Sequence, residues 1–294
     1  MASLKELKNR IHSVKETQKI TEAMQMVSVT KLRRAQAAIQ NSLLYQVSIK
    51  DCLMKCVTDE YSQEDLPLVI KGTGRDSVYL LIVFASERGL CGGFNSQIVR
   101  LARDRIREFI SDGKEIKILV VGKKGYEGLY REFSSMIIDY IELPSQKEID
   151  FFQAQNIARK VMSLFVNGVF DVCFCLHSGF ISIMQQIPVV SKLIPVNFVQ
   201  DLKEKKGKDL SVYRYESTIY SVFEQILCQY ISAQILWYLL ESKASEVGAR
   251  ITAMDNATRN ADRMAEGLHL SYNRQRQMRI TTELIEIIAG AEAV

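Results

Sequence analysis

Apolar residues recur along the C-terminal third of this chain at alternating steps of three and four. From Phe223 the series runs through Ile226, Tyr230, Ala233, Trp237, Leu240, Ala244, Val247, Ile251, Met254, Thr258, Ala261, Ala265, Leu268 and Tyr272, and Thr258 is its one polar member. A period of three and a half residues held this long predicts a supercoiling seam rather than an ordinary surface helix. From Ser217 to Gly290 such a helix would be about 110 Å long. The N-terminal segment carries a matching series: Leu4, Leu7, Ile11 and Val14 open it, and Leu32, Ala35 and Ile39 resume it. Between them the same positions hold Gln18, Thr21, Gln25 and Ser28, while the apolar Ile20, Met24 and Val27 turn to a neighbouring face. That stretch reads either as a solvated helix face or as a contact with something outside the coil. Two long helices at opposite chain ends pair most simply with each other, antiparallel.

The middle of the chain follows another rhythm. Ser77–Ser86 is a continuous apolar run of buried-strand length. Asn95 is placed to cap a helix carrying Ile98, Leu101, Ile106, Phe109 and Ile110, which Gly113 ends. Ile116–Val121, Met136–Ile141 and Val169–Leu176 read as further strands, with an amphipathic helix over Ile149–Val166. This alternation predicts a mostly parallel sheet with helices on its faces. Pro188 and Pro195 confine the stretch Ile181–Val199 to edges or loops.

Glycine and proline mark the same division. Residues 1–66 contain neither, whereas eleven of the 15 glycines lie between Gly72 and Gly179. Since both residues break helices, their absence permits the two long terminal ones. The expected organisation is an N-terminal coiled-coil helix over 1–66, an α/β domain over 67–212 and a C-terminal coiled-coil helix over 213–294. Composition is that of a globular chain, 47% hydrophobic and 24% charged. Six cysteines in 294 residues are too few for a secreted disulfide scaffold and point to a reducing compartment. Glu6, Glu16 and Glu22 interrupt any signal-peptide pattern. Glu224, Gln225, Gln229 and Gln234 break up Ile219–Leu240, the strongest membrane-span candidate. A soluble chain is expected.

Catalytic chemistry finds little support. The loop Glu87–Asn95 follows a strand and precedes a helix, as phosphate loops do, but it lacks the glycine and lysine spacing of those motifs. Gly122-Lys123-Lys124-Gly125 fails in the same way. Cys91 has His177 as its one conceivable partner off the terminal helices, and a buried structural thiol is the simpler reading. Cys173 with Cys175 and Cys52 with Cys56 have no second pair at metal-site spacing. No catalytic residue, cofactor site or metal site is expected. Charge is more informative: residues 1–34 carry eight basic side chains against three acids, and residues 250–279 carry six arginines against three acids. Both runs flank the polar part of the seam, which favours an acidic protein partner over nucleic acid, because interleaved aromatics and a recognised nucleic-acid fold are lacking.

Four stretches carry a resemblance: Ile20–Val27 with Lys31–Gln36, Arg88–Asn95, Glu246–Ala257, and Tyr272–Gly290. Together they resemble the gamma subunit of F-type, proton-transporting ATP synthases over the length of the chain. The resemblance implies an antiparallel coiled coil of N- and C-terminal helices with an inserted Rossmann-like α/β domain. It also implies a central rotor shaft, non-catalytic by itself, that couples proton flow through a membrane ring to the nucleotide sites of beta subunits. By that resemblance Met24, Arg88, Arg250, Arg276, Gln277, Thr281 and Glu283 match positions that contact beta or brace the helices there. Tyr213, Tyr215 and Glu216 match the foot, near the membrane c-ring and an epsilon-type subunit, and Ile287–Val294 matches the tip that turns in an apolar bearing. Ala265–His269 and Met278 depart from the family pattern, and Gly267 weakens the helix locally. The implied partners are the alpha and beta subunits of the catalytic head, the epsilon-type subunit and the c-ring. The implied location is the cytoplasmic side of a bacterial inner membrane, held peripherally, or the matrix side of a mitochondrial inner membrane for an organellar chain. A coiled-coil tether, or a nucleotide-dependent enzyme binding phosphate at Arg88–Asn95, would share parts of these patterns.

Overall fold

A computed structural model describes residues 3–58, 67–144, 149–196 and 219–292. The chain divides into two compact units, residues 31–249 and residues 1–30 with 250–294. The long helices α1 (Leu4–Thr58) and α6 (Ile219–Glu292) each contribute to both units.

Residues 31–249 are built on β1 (Val78–Phe84), β2 (Glu115–Val121), β3 (Ile137–Ile141), β4 (Val172–Phe180) and β5 (Gln186–Ile194). The strand order is β3-β2-β1-β4-β5. The first four strands are mutually parallel and β5 runs antiparallel along β4. Side chains alternate across a strand, so β1 feeds two cores. Leu80, Ile82 and Phe84 lie with Leu53 of α1, Ile157 and Val161 of α5 (Phe151–Val166), and Ile231 and Leu239 of α6. Tyr79, Leu81 and Val83 lie with Ile98, Ala102 and Ile106 of α3 (Phe94–Ser111) and Leu129 of α4 (Lys123–Phe133). A sheet covered on both faces explains why its central strand reads as unbroken apolar sequence. One turn, α2 (Leu68–Lys71), adds Val69 to the first core.

Four local expectations change. Asn95 does not cap α3: the helix starts one residue earlier, after Gly93, and the Asn95 side chain accepts from the Ser86 amide at 3.1 Å and donates to Cys91 Sγ at 3.1 Å. β4 starts later and runs further than Val169–Leu176, because the Asp171 carboxylate is turned back to accept from the Ser77 and Val78 amides. The region after Ile181 contains β5, where Pro188 sits in an edge strand that needs no second ladder. Finally, Gly122-Lys123-Lys124-Gly125 begins α4, an element the sequence reading lacks.

In the unit formed by residues 1–30 and 250–294, α1 and α6 run antiparallel. Gln18 Nε2 donates to Asp262 Oδ1 at 3.3 Å, the Thr21 and Thr258 hydroxyls meet at 2.7 Å, and Gln25 Nε2 donates to Asp255 Oδ1 at 3.3 Å. Leu7, Ile11, Ile251, Met254, Ala261 and Ala265 are buried at seam positions. Thr21 and Ser28, the polar interruptions of the α1 seam, are buried as well. Helix α6 is continuous through Gly267. Within the other unit the same pairing recurs, with the Tyr45 hydroxyl donating to Gln229 Oε1 at 3.4 Å.

Candidate functional site

The polar seam is satisfied from within. Gln18, Thr21 and Gln25 find their partners on α6, leaving Ile20, Met26 and Val27 as the large apolar side chains exposed beside them, at 60%, 64% and 55%. Met24 is half-buried among them. Lys19 and Lys31 bracket this apolar strip on the exposed surface of α1. An exposed apolar strip edged by cations has the composition of a contact surface as well as of a helix face.

Beyond the start of α1, helix α6 continues without a neighbour among the described residues. Every side chain from Arg276 to Ala291 is exposed, including Met278, Ile280, Leu284, Ile285, Ile287 and Ile288. Arg276, Gln277, Thr281 and Glu283 are therefore gathered on one bare stretch of helix. Thr281 donates back to the Gln277 carbonyl at 3.0 Å, and Glu283 pairs with Arg279 at 2.9 Å. Arg279 is the residue that sequence matching passed over, although its spacing of four from Glu283 is the signal for such a pair. Arg250 is half-buried, and Met24 lies roughly 30 Å along the coil from Arg276 at ~1.5 Å per residue. The structure groups the four C-terminal residues but does not bring Met24 to them.

In the other unit, Arg88 is exposed on the loop between β1 and α3. Its carbonyl accepts from the Ser86 hydroxyl at 2.7 Å, and Leu90 beside it has φ of 63° and is 64% exposed. The neighbouring Glu87 is turned inward. Its carboxylate accepts from the Leu143 amide at 2.7 Å and from the Lys123 amide, at the start of α4, at 3.3 Å. The Tyr140 hydroxyl lies 3.4 Å from the same carboxylate, and burial first, then the Glu87 charge, pushes that phenol up to about 12. A fixed carboxylate thus fills the helix start where an anion would otherwise be held. The remaining hollow at this end of the sheet is about 30 Å³, lined by Ser86, Glu87, Ser242, Lys243 and Glu246 among others. It has room for a water but not for a nucleotide.

The thiols of the sheet unit's core, Cys91, Cys173 and Cys175, are buried. Cys91 is 2% exposed, and burial pushes Cys173 up, away from the reactive thiolate. Cys91 lies in the core with Val83 and Phe94, whereas His177 stacks on Tyr238 in the core on the other face, so they are not a catalytic pair. Among the described residues no cluster of His, Cys, Asp or Glu could hold a metal ion, and no helix is long and apolar enough to cross a membrane. Tyr213, Tyr215 and Glu216 lie outside the described residues.

The profile of a family described as ATP synthase matches residues 3–294. Curated relatives named ATP synthase gamma chain share 49% identity in Allorhizobium ampelinum and 47% in Bartonella bacilliformis, over the whole of both chains in each case. Among solved structures, the chain is similar to one from the central stalk and c-ring of the Tetrahymena thermophila mitochondrial ATP synthase. The TM-score is 0.63 at 24% identity, covering 81% of this chain and 99% of that one. A chain from the rotor of the Euglena gracilis mitochondrial enzyme gives 0.64 at 17% identity, covering 94% and 98%.

Proposed function

The chain belongs to the ATP synthase gamma-chain family, and from that premise we propose that it is a non-catalytic rotor shaft, coupling proton flow through a membrane ring to ATP synthesis or hydrolysis in a surrounding head. The observation that carries this reading is the bare end of α6, where polar contact groups and a run of apolar side chains are held on a continuous helix. Its partners are the alpha and beta subunits of the head, an epsilon-type subunit and the c-ring. Met24, Arg88, Arg250, Arg276, Gln277, Thr281 and Glu283 are the proposed contacts with beta, and Tyr213, Tyr215 and Glu216 those with the ring and the epsilon-type subunit. The chain is peripheral, on the cytoplasmic side of a bacterial inner membrane.

Physical chemistry supports this division of labour. A shaft that passes among equivalent partners needs contacts that bias each without trapping it. A unit charge pair about 6 Å apart interacts by roughly 3 kcal/mol at an effective dielectric of ~20, and salt weakens it further. Exposed arginines meet that need better than a large apolar interface to one partner. The filled crevice above the sheet supports the non-catalytic part of the reading.

Arg276→Ala with Gln277→Ala tests it in the assembled complex. These side chains are exposed, so the chain folds and assembles, while ATP turnover falls about tenfold, as for roughly 1.4 kcal/mol of lost contact. Full turnover in an assembled double variant would remove the pair from the coupling surface.

A further inference from the structure

The parallel ladder between β1 and β4 ends at Val83 and Leu176. β4 nevertheless runs on to Phe180, so past Leu176 it extends without β1 beside it. On its other side Ser178 lies opposite Pro188 of β5. The Ser178 amide and carbonyl would both be orphaned in the buried sheet, at a cost comparable to a lost hydrogen bond each. Instead α6 supplies both partners. The Ser178 N–H donates to Ser242 Oγ at 3.1 Å, and Ser245 Oγ donates to the Ser178 carbonyl at 3.0 Å. Ser178, Ser242 and Ser245 are all buried. At this point a helix occupies the place of the missing strand.

The adjacent residue adds a second hold. His177 stacks on Tyr238 of α6 with ring centroids 4.4 Å apart, and its Nδ1 lies 3.4 Å from Glu241 Oε2. Its Nε2 is 3.1 Å from Ser191 Oγ on β5. Tyr238, Glu241, Ser242 and Ser245 fall within two turns of one helix face, all directed at the two-residue segment His177–Ser178.

We infer that this clamp is the joint that fixes the α/β sheet in rotational register on the shaft helix, with Ser242 and Ser245 as positioning residues for coupling. The inference rests on the rotor reading above, since register matters only if the helix transmits torque. Ordinary core packing resists separation but is non-directional. Two hydrogen bonds to one residue's backbone are directional, and they resist sliding along α6 and turning about it. Losing them lets the sheet shift on the helix while the nucleotide sites elsewhere keep working. The clamp governs how much rotation reaches the far end, not how fast ATP is cleaved.

The test uses the full chain assembled with its enzyme in inverted membrane vesicles, carrying Ser242→Ala with Ser245→Ala. Two readouts are taken: amide exchange in the peptide that spans β4, and protons pumped per ATP hydrolysed. Exchange at Ser178 quickens about tenfold once its N–H loses Ser242 Oγ, and the pumping ratio falls at least about twofold while hydrolysis persists. Ser242→Thr with Ser245→Thr, which keeps both hydroxyls, restores the ratio. Ser242→Cys with Ser245→Cys, which keeps the volume but bonds poorly, does not. Should the double alanine variant fail to assemble, Ser242→Ala alone gives the same two readouts with one bond lost. Faster exchange with an unchanged pumping ratio overturns the inference and leaves the rotor reading intact. A wild-type chain that assembles but supports no pumping overturns the rotor reading, and this inference with it.

Discussion

On β1 the inward positions Leu80, Leu81, Ile82 and Val83 are wholly buried and wholly apolar, whereas on α1 the inward positions from 18 to 28 are Gln, Thr, Gln and Ser. β1 buries every one of these positions, whereas on α1 Thr21 and Ser28 are buried and Gln18 and Gln25 half-buried, and the two regions hold together by different physics. The sheet relies on close packing, in which each buried large side chain is worth a few kcal/mol and direction matters little. The coil adds to its buried apolar seam residues three side-chain pairs, each worth about 1 kcal/mol at most, that are satisfied in one alignment only. An apolar seam can slip by a heptad at modest cost. A seam carrying Gln18–Asp262, Thr21–Thr258 and Gln25–Asp255 cannot slip without orphaning all three, which is how polar seam residues fix register at some expense of stability. The lesson is that one part of the chain is built to be firm and the other to be correctly aligned.

Substitutions probe that contrast in order of expected effect. The largest is Gly122→Ala at the start of α4. Gly122 has φ of +103°, and a Cβ there would lie 2.1 Å from the Ala85 carbonyl oxygen. Strain and displaced backbone together should cost at least about 3 kcal/mol by urea unfolding. A loss under 1 kcal/mol would mean the sheet is more yielding than its packing implies.

His177→Gln asks whether acid weakens the sheet unit. Burial pushes the folded imidazole down to about 4, even with Glu241 beside it. Its contribution is therefore full above the unfolded value of 6.5 and is lost as pH falls towards 4. Glu241, raised mainly by burial, works in the opposite sense. The wild-type chain should lose up to about 3 kcal/mol more than the variant between pH 6.5 and 4. Equal losses in both chains would show that this imidazole is not the acid-sensitive group. His12 and His269, in the coil unit, are exposed.

Thr21→Val with Thr258→Val replaces the central polar pair by apolar groups of similar shape. The coil should become more stable by about 1 kcal/mol, since neither hydroxyl is left orphaned. Disulfide trapping between cysteines placed across the coil should at the same time show a second register. A single register in the double variant would mean that the flanking glutamine pairs suffice. Gly267→Ala is the mildest change: nothing lies within 4 Å of the added Cβ, so the helix should gain about 0.5–1 kcal/mol. Helical content on heating reports it, and a loss would reveal a neighbour at that face.

How far the sequence foretold these arrangements depended on what kind of signal each left. The α6 seam was legible in the coil unit, because burial at Ile251, Met254, Ala261 and Ala265 follows a single period, whereas from Tyr230 to Ala249 the helix is buried on nearly every face. β1 was legible because both its faces are covered. Helix α4 was not, because Gly125 and Gly128 disguise it. An added Cβ there would lie 2.8 Å from Ala85 Cβ and 2.7 Å from Val99 Cγ2, so close packing demands glycine inside a helix. Tyr126, Leu129, Tyr130 and Phe133 carried its spacing all the same. Asn95 looked like a cap because side-chain type says nothing about which amide it will meet, and Ser86 was nearer. The contact residues proposed on the bare end of α6 left only a diffuse signal, the arginine run over 250–279. Exposed polar groups on a helix look alike unless a relative's pattern singles them out, as it did for Arg276 and Gln277.

The unaccompanied end of α6 also bears on the life of the protein before it meets its neighbours. A helix without tertiary support is marginal in water at this length, so the stretch from Arg276 to Ala291 opens at little cost. Leu284, Ile285, Ile287 and Ile288 are exposed even in the intact helix, and each opening frees the backbone around them. Proteases cut such segments in proportion to how often they open. A copy made in excess of its assembly is thereby trimmed or drawn into aggregates, and a copy that finds its place is shielded. The apolar end proposed to serve the assembled complex should therefore shorten the life of an unassembled copy.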